Sequence, residues 1–359
     1  MLANDSPLLN KAWMLTPERL TDIFRKEGWL KNGWIEKVTI GEQFPGFADL
    51  IARLHLSYSS TSFDHPPRTL ICKAFGPEWY SSAAQAELHI YRHFVPKMAN
   101  VPTPRLYGSF DDPIGKVIIL LQEDLADQFT HLSHPINDEW LATLTDVLVN
   151  LHAFWWEHES LNDEMLLIPQ ETVTRMPQAL NDSGLRENEM QMYQAMTRFI
   201  DQHRENLSEE ETSILQLLNA RWREKFAARI ENHRSITLLH GDFHLFGNIF
   251  AAKEAQDNRH VKIIDWSEAK RGIGPHDLMY MLLPLDTSDR HQRDLCLLQR
   301  YYTGLQKAGV EGYEWDQCLW DYRFSLLTSL FQPLFQDNIH WFKATMKVVR
   351  VWHSIELLE

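Results

Sequence analysis

The sequence predicts an α+β chain in two parts, a small antiparallel-sheet lobe over residues 1–123 followed by a larger, mainly helical lobe over residues 124–359. Three observations predict it. Strand-like runs separated by turn-rich stretches fill the first third, helical periodicity takes over after the QEDLAD segment (122–127), and one β-rich island interrupts those helices between Ile236 and Asp265. A chain of 359 residues that is 44% hydrophobic can bury cores for roughly two domains.

In the first part, Val38–Ile40, Leu50–Tyr58 and Thr69–Phe75 read as strands, set apart by GEQFPG and STSFDHPP. Helical spacing over Ser81–Phe94 gathers Ala83, Ala86, Leu88, Ile90, Tyr91 and Phe94 loosely on one side, with Glu87 among them; Pro96, Pro102 and Pro104 punctuate the exit. A strand before Gly108, a turn at DDPIG and the apolar strand Val117–Leu121 complete a five-stranded sheet with one helix. In the second part, Asn137 caps a helix running to Trp155, and Ser208 with Glu211 forms a capping box for another that ends near Asn232. Helices are expected over Ser288–Lys307, Tyr313–Phe331 and Ile339–Leu357. Their tryptophans, Trp315, Trp320, Trp341 and Trp352, read as core at helical spacing, with an aromatic substrate wall as the alternative.

Composition narrows the function. With 49 acidic against 35 basic residues the net charge is -14, which repels nucleic-acid phosphates and anionic membranes, and no basic run offsets it. Cys72, Cys296 and Cys318 lie far apart without a CxxC pair, so neither a disulfide framework nor a zinc knuckle is expected, and a cytoplasmic setting fits. MLANDSPLLNKAW lacks the order of a signal peptide, and polar residues interrupt every apolar run short of the ~18 residues of a membrane span. No feature speaks to oligomeric state.

The chemistry concentrates in the island. In HGDFHLFGN (240–248), His240, Asp242, His244 and Asn248 are polar groups held between two apolar strands, ITLL and IF, so backbone is fixed while side chains gather. The strand VKIID then ends on Asp265. A carboxylate at one strand exit, an amide at another and an aspartate between them suit an oxygen-preferring divalent cation plus a general base, with Mg²⁺ on a nucleotide as the candidate. Lys73, in the middle of TLICKAF, is costly to bury without a partner, and Glu87 on the next helix is the nearest suitable carboxylate. The His240/His244 pair has the i, i+4 spacing of a zinc motif, but it sits in a loop with no third ligand marked, and structural histidines are the expectation.

Together, HGDFHLFGN, IIDW and GIGPHDL resemble the aminoglycoside phosphotransferase and choline kinase family, small-molecule kinases with a protein-kinase-like fold, over about Val38 to Tyr280. FPGFADLIAR (44–53), LHLSY and the proline before LICKAF resemble in particular its ecdysteroid-kinase-like branch, whose members phosphorylate hydroxyl groups of lipophilic molecules. The resemblance implies an ATP- and Mg²⁺-dependent phosphotransfer to a hydroxylated small molecule. It implies Asp242 as catalytic base, Asn248 and Asp265 as metal ligands, and Lys73 with Glu87 as the phosphate-positioning pair. It further implies a hinge at Gln122–Leu125, including Glu123 and Leu125, for the adenine edge; His240 as a brace; Asp277 as an anchor of the loop backbone; and LHAFWW (151–156) as a family-typical helix end.

Two departures are visible. The family places its asparagine five residues after the catalytic aspartate, and here the interval is six, an excess that Gly247 is expected to absorb in a bulge. GEQFPGF, with only Gly41 and Gly46, is not a strict glycine-rich phosphate loop. The interval keeps alive a catalytically silent, kinase-like nucleotide- or ligand-binding module; a metal-dependent phosphoesterase, suggested by GDFH, lacks the further His and Asp clusters it requires. For the acceptor, acidic balance favours a cation, with Glu268 as a group to orient its amine, whereas the aromatic helices and the branch resemblance favour a lipophilic alcohol.

Overall fold

A computed structural model describes residues 15–59, 66–98, 101–132, 135–163, 166, 182–232, 234–253, 261–285 and 289–359; the segment before Leu15, the EAQDNR turn and Ser288 lie outside them. The chain divides into two compact units, Met1–Lys97 with Pro102–Thr130 and Phe250–Ser267, and Met98–Val101 with His131–Ile249 and Glu268–Glu359.

The first unit opens with a helix that the strand and helix patterns above did not include, α1 (Pro17–Lys26). Its start was readable: the Thr16 hydroxyl accepts the Arg19 N–H at 3.2 Å, and Pro17 stands at the first helical position. Strands β1 (Ile35–Gln43), β2 (Leu50–Tyr58), β3 (Thr69–Phe75), β4 (Leu106–Asp112) and β5 (Val117–Glu123) form one antiparallel sheet in the order β1-β2-β3-β5-β4. Leu20 and Phe24 of α1 join Leu54, Leu70, Cys72 and Leu121 in its core. A Cβ at Gly108 would stand 2.2 Å from Ile23, so the helix reaches β4 only because that position is glycine, and β4 runs through Gly108 rather than ending before it.

After β3 comes α2 (Ser82–His89), capped by Ser81, whose hydroxyl accepts the Ala84 N–H. The expected helical span to Phe94 is helical throughout, but Ile90–Phe94 is a π turn, closed by the Val95 N–H on the Ile90 carbonyl, and Pro96 falls in a following 3₁₀ turn. Short strands β6 (Phe129–His131), β8 (Ile249–Ala252) and β9 (Val261–Ile263) make a three-stranded sheet, and β7 (Thr237–Leu239) pairs with β10 (Lys270–Gly272).

The second unit is helical: α3 (Asp138–Phe154), α4 (Asp182–Gln202), α5 (Glu209–Ile230), α6 (Pro275–Leu282), α7 (Arg290–Lys307), α8 (Trp315–Thr328), α9 (Phe331–Phe335) and α10 (Ile339–Val351). Both caps read from the sequence are made. Asn137 accepts the Trp140 N–H at 2.9 Å, and both reciprocal bonds of the Ser208/Glu211 box are present. The single helix expected over Tyr313–Phe331 is interrupted at Ser329–Leu330, because Pro333 in a continuous helix would clash with the carbonyl of Ser329. Likewise α10 stops at Val351; His353 takes a left-handed φ of 50°, and a 3₁₀ turn carries Ser354–Leu358. Trp352 is core as expected, whereas Trp315, Trp320 and Trp341 are half-buried. Among the described residues no helix is long and apolar enough to cross a membrane, and all three cysteines are free.

Candidate functional site

In the first unit the pleat of β3 turns Lys73 inward, leaving it 8% exposed beside the fully buried Glu87 of α2. The Lys73 ammonium donates to Glu87 Oε2 at 2.7 Å and to Asp265 Oδ1 at 3.0 Å, so the structure brings three expected site residues together around one cation. Burial alone would lower the Lys73 pKa, but the Asp265 and Glu87 carboxylates hold it above its ordinary range. Burial pushes Glu87 up to about 7, with Lys73 pulling it down and the Asp265 charge adding to the rise. Asp265 follows β9 with φ of 62°, a left-handed conformation costing about 1–2 kcal/mol in an L-residue; such strain concentrates where a side chain must be aimed.

The raised Glu87 value has a consequence for folding. A carboxyl lifted from 4.5 to about 7 contributes stability that is present below pH 4.5 and lost as pH rises to about 7. Wild-type protein should therefore lose stability relative to Glu87→Gln across that window, read as the difference in denaturation midpoints; a difference that stays flat would contradict the shift.

The QEDL segment leaves β5 and is bolted in place. Arg53 of β2 donates to Asp124 through Nε at 2.7 Å and Nη2 at 3.4 Å. Glu123 accepts from Lys262 Nζ at 3.0 Å and from the Arg105 N–H at 3.1 Å. Its own N–H donates to the Arg105 carbonyl at 2.8 Å. Leu125 is buried, and its carbonyl accepts from Gln128 and Phe129. Arg53 lay inside the quoted FADLIAR run, but its reach to Asp124 spans 71 positions and no local spacing marks it.

In the second unit the HGDFHLFGN loop hangs from a buried carboxylate. Asp277, near the start of α6, accepts the His240 N–H on Oδ2 at 2.7 Å and the Gly241 N–H on Oδ1 at 3.0 Å. His152 at the end of α3 lies 3.2 Å from Asp277 through Nε2 and 2.8 Å from the Tyr301 hydroxyl of α7 through Nδ1. Burial would raise Asp277, but the His152 hydrogen bond and the nearby histidines hold it below the usual carboxylate value. Asp277 was expected as the anchor; His152 was legible only as part of LHAFWW, and Tyr301 carried no signal.

Phe243 and Leu245 are fully buried and pin the loop, while Asp242, immediately before them, stays partly exposed. The Asp242 N–H donates to His240 Nδ1 at 3.3 Å, consistent with a bracing histidine. Asn248 Nδ2 donates to the Asp242 carbonyl at 2.9 Å, so the long interval does not separate the two residues. The extra residue is not absorbed by unusual backbone at Gly247, whose φ is not positive; instead the His244 carbonyl accepts both the Gly247 and Asn248 N–H groups, at 3.3 and 3.1 Å, in a tight turn. The glycine that needs its freedom is Gly241, with φ of 81° and a Cβ position 2.1 Å from the Glu268 carbonyl oxygen. Gly241→Ala should destabilise by at least about 1–2 kcal/mol from the backbone conformation alone, with the contact adding to it, as measured by urea denaturation. Glu268 is itself buried and lies 3.9 Å from the Lys270 ammonium.

No curated protein matches the chain. Among solved structures, the GDP complex of a mutant aminoglycoside 2'-phosphotransferase-IIIa gives a TM-score of 0.50 at 13% identity, covering 89% of this chain and 92% of that one. An amicoumacin kinase in complex with AMP-PNP and Ca²⁺ gives 0.49 at 11% identity, covering 92% and 91%. Macrolide 2'-phosphotransferase from Brachybacterium faecium gives 0.46 at 14% identity, covering 95% and 98%. The first likeness is one of fold: the sheet-bearing part and the helical part are those of the protein-kinase-like fold expected above. Residues 57–315, which take in β3, α2, the loop and its anchor, match the phosphotransferase enzyme family, and the chain belongs to that family.

Proposed function

We propose that this protein transfers the γ-phosphoryl group of ATP to a hydroxyl group of a small molecule, with Mg²⁺ accompanying the nucleotide. The observation that carries the reading is the Lys73 ammonium clasped by Glu87 and Asp265, a buried cation fixed in place to meet phosphate oxygens. In this reading the backbone around Glu123 and Leu125 faces the adenine edge, and Asp242 takes the proton as the acceptor oxygen bonds to the γ-phosphorus and the bond to the leaving nucleoside diphosphate breaks.

The donor set suits Mg²⁺. Among the described residues no group of three or more His, Cys, Asp or Glu side chains could hold a metal, and Mg²⁺ asks for no such cage, since one or two protein oxygens plus substrate phosphates and water suffice. Asn248 donates its amide N–H to the Asp242 carbonyl, which leaves Oδ1 as the oxygen it would offer a cation, and Asp265 would be the charged ligand. Mg²⁺, when bound, neutralises charge on the phosphate oxygens. The long Asp242–Asn248 interval was the ground for a catalytically silent module, and the hydrogen bond across it weakens that ground.

Mg²⁺-dependent consumption of ATP on a panel of alcohols, with phosphoester product detected by mass spectrometry, tests the reading; nucleotide binding without turnover on any acceptor would favour the silent module. Asp265→Ala should weaken Mg·ATP more than Asn248→Ala, because a carboxylate offsets cation charge and an amide oxygen does not. Calorimetry giving the reverse order would exchange the two roles.

A further inference from the structure

A cavity of about 600 Å³ opens in the second unit among the end of α6, the start of α7 and α10, within the range that encloses small molecules. It meets the catalytic loop at His244, whose N–H donates to the Asp242 carbonyl at 2.7 Å. Trp341, Val348 and Val351 give α10 an apolar wall along it. Thr345, one turn after Trp341, also lines the cavity; it is 1% exposed, yet its hydroxyl has no hydrogen-bond partner among the described residues. A helical threonine ordinarily turns its hydroxyl back on the carbonyl four residues earlier, so a buried hydroxyl that does not is an unmet donor and acceptor in the cavity wall.

The charged lining has one sign. In a chain of net charge -14, the described lining residues include Arg290 and Lys347 and no carboxylate. Arg290 is consumed by the wall: its guanidinium reaches Asp294 and the carbonyls of Leu282, Leu283 and Leu285. Along α10, Lys343 and Arg350 are paired with Glu211 and Glu210, whereas Lys347 between them is exposed and has no carboxylate partner among the described residues. An aminoglycoside brings several ammonium groups and needs carboxylates to meet them; this lining would repel it.

We propose that the cavity holds the body of the phosphate acceptor and that this acceptor is an apolar, ring-bearing alcohol carrying a carboxylate, which Lys347 pairs. The assignment rests on the phosphotransfer reading for the fate of the hydroxyl, whose oxygen bonds to phosphorus while its proton passes to Asp242. The binding of the acceptor body is independent of it. Deoxycholate, a ring alcohol with one carboxylate, is the probe, used below its micelle concentration on the full chain without nucleotide, with kanamycin as the cationic counterpart.

Calorimetry should give saturable deoxycholate binding that weakens about tenfold or more in Lys347→Glu and is lost in Ala344→Trp, which fills the cavity from an exposed helical position. Kanamycin should bind wild type more weakly than deoxycholate does. Absence of deoxycholate binding, binding unchanged in both variants, or tighter binding of kanamycin would overturn the proposal. If deoxycholate binds as expected but no ATP is turned over on it or on any other alcohol, the cavity assignment stands and the phosphotransfer reading fails. If kanamycin is phosphorylated and deoxycholate does not bind, the reverse holds.

Discussion

Asp242→Asn should lower kcat by about 10²–10⁴-fold while leaving the affinity for Mg·ATP close to wild type. The substitution keeps the size of the side chain and removes only its capacity to take a proton. The loop contacts made by its backbone are kept: the Asp242 N–H to His240 and the Asp242 carbonyl to Asn248 and His244. The loss therefore falls on the chemical step rather than on ground-state binding. The measurement is single-turnover phosphoester formation beside calorimetric nucleotide titration. Near-wild-type kcat in the variant would remove Asp242 from the role of base.

The largest effect on folding is expected at Asp277→Ala. The wild-type carboxylate satisfies two buried N–H groups and faces His152 inside the fold, and its removal strands all three. Breaking one side of a buried polar cluster of this kind costs on the order of 3–5 kcal/mol, because the remaining groups keep the cost of lost hydration without their partner. Asp277→Asn, which preserves shape and one acceptor, should fall between the two. The held-down pKa fixes the sign with pH: the contribution of Asp277 is present above the ordinary carboxylate value and lost as pH falls through the lower native one. Denaturation midpoints of wild type and Asp277→Ala should thus converge in acid and stand furthest apart near neutrality; a gap that widens in acid would refute the assignment.

What the sequence made legible were features with local causes. β2 and β3 were bounded correctly because turn-rich stretches flank them, and Asn137 and Ser208 announced their helices through capping chemistry three residues long. Lys73 and Glu87 were matched because a lysine in an apolar strand demands a carboxylate from whatever packs on it. The third partner, Asp265, lies 192 positions from Lys73; its place at a strand exit marked it for a cation on a nucleotide, but no local spacing marked its contact with Lys73. Tyr301 behind His152, Arg53 behind Asp124 and Lys347, with no carboxylate partner among the described residues, are products of tertiary packing, and no window of neighbouring residues contains them. Gly247 was chosen for its freedom, yet the turn needed a carbonyl that accepts twice, which any residue at position 244 provides.

The π turn after α2 carries a consequence for comparing sequences. A turn closed from Ile90 to Val95 holds one residue more than the α turn it replaces, and a single residue in a helix corresponds to a rotation of about 100°. Glu87, upstream, faces Lys73, while Tyr91 and Phe94 within the turn are buried. A relative with a regular helix here cannot match both sets of positions without a gap, so an ungapped alignment will register either the carboxylate or the aromatic residues and displace the other. Alignments across this segment should therefore be fixed on Glu87, with a one-residue gap allowed before Val95.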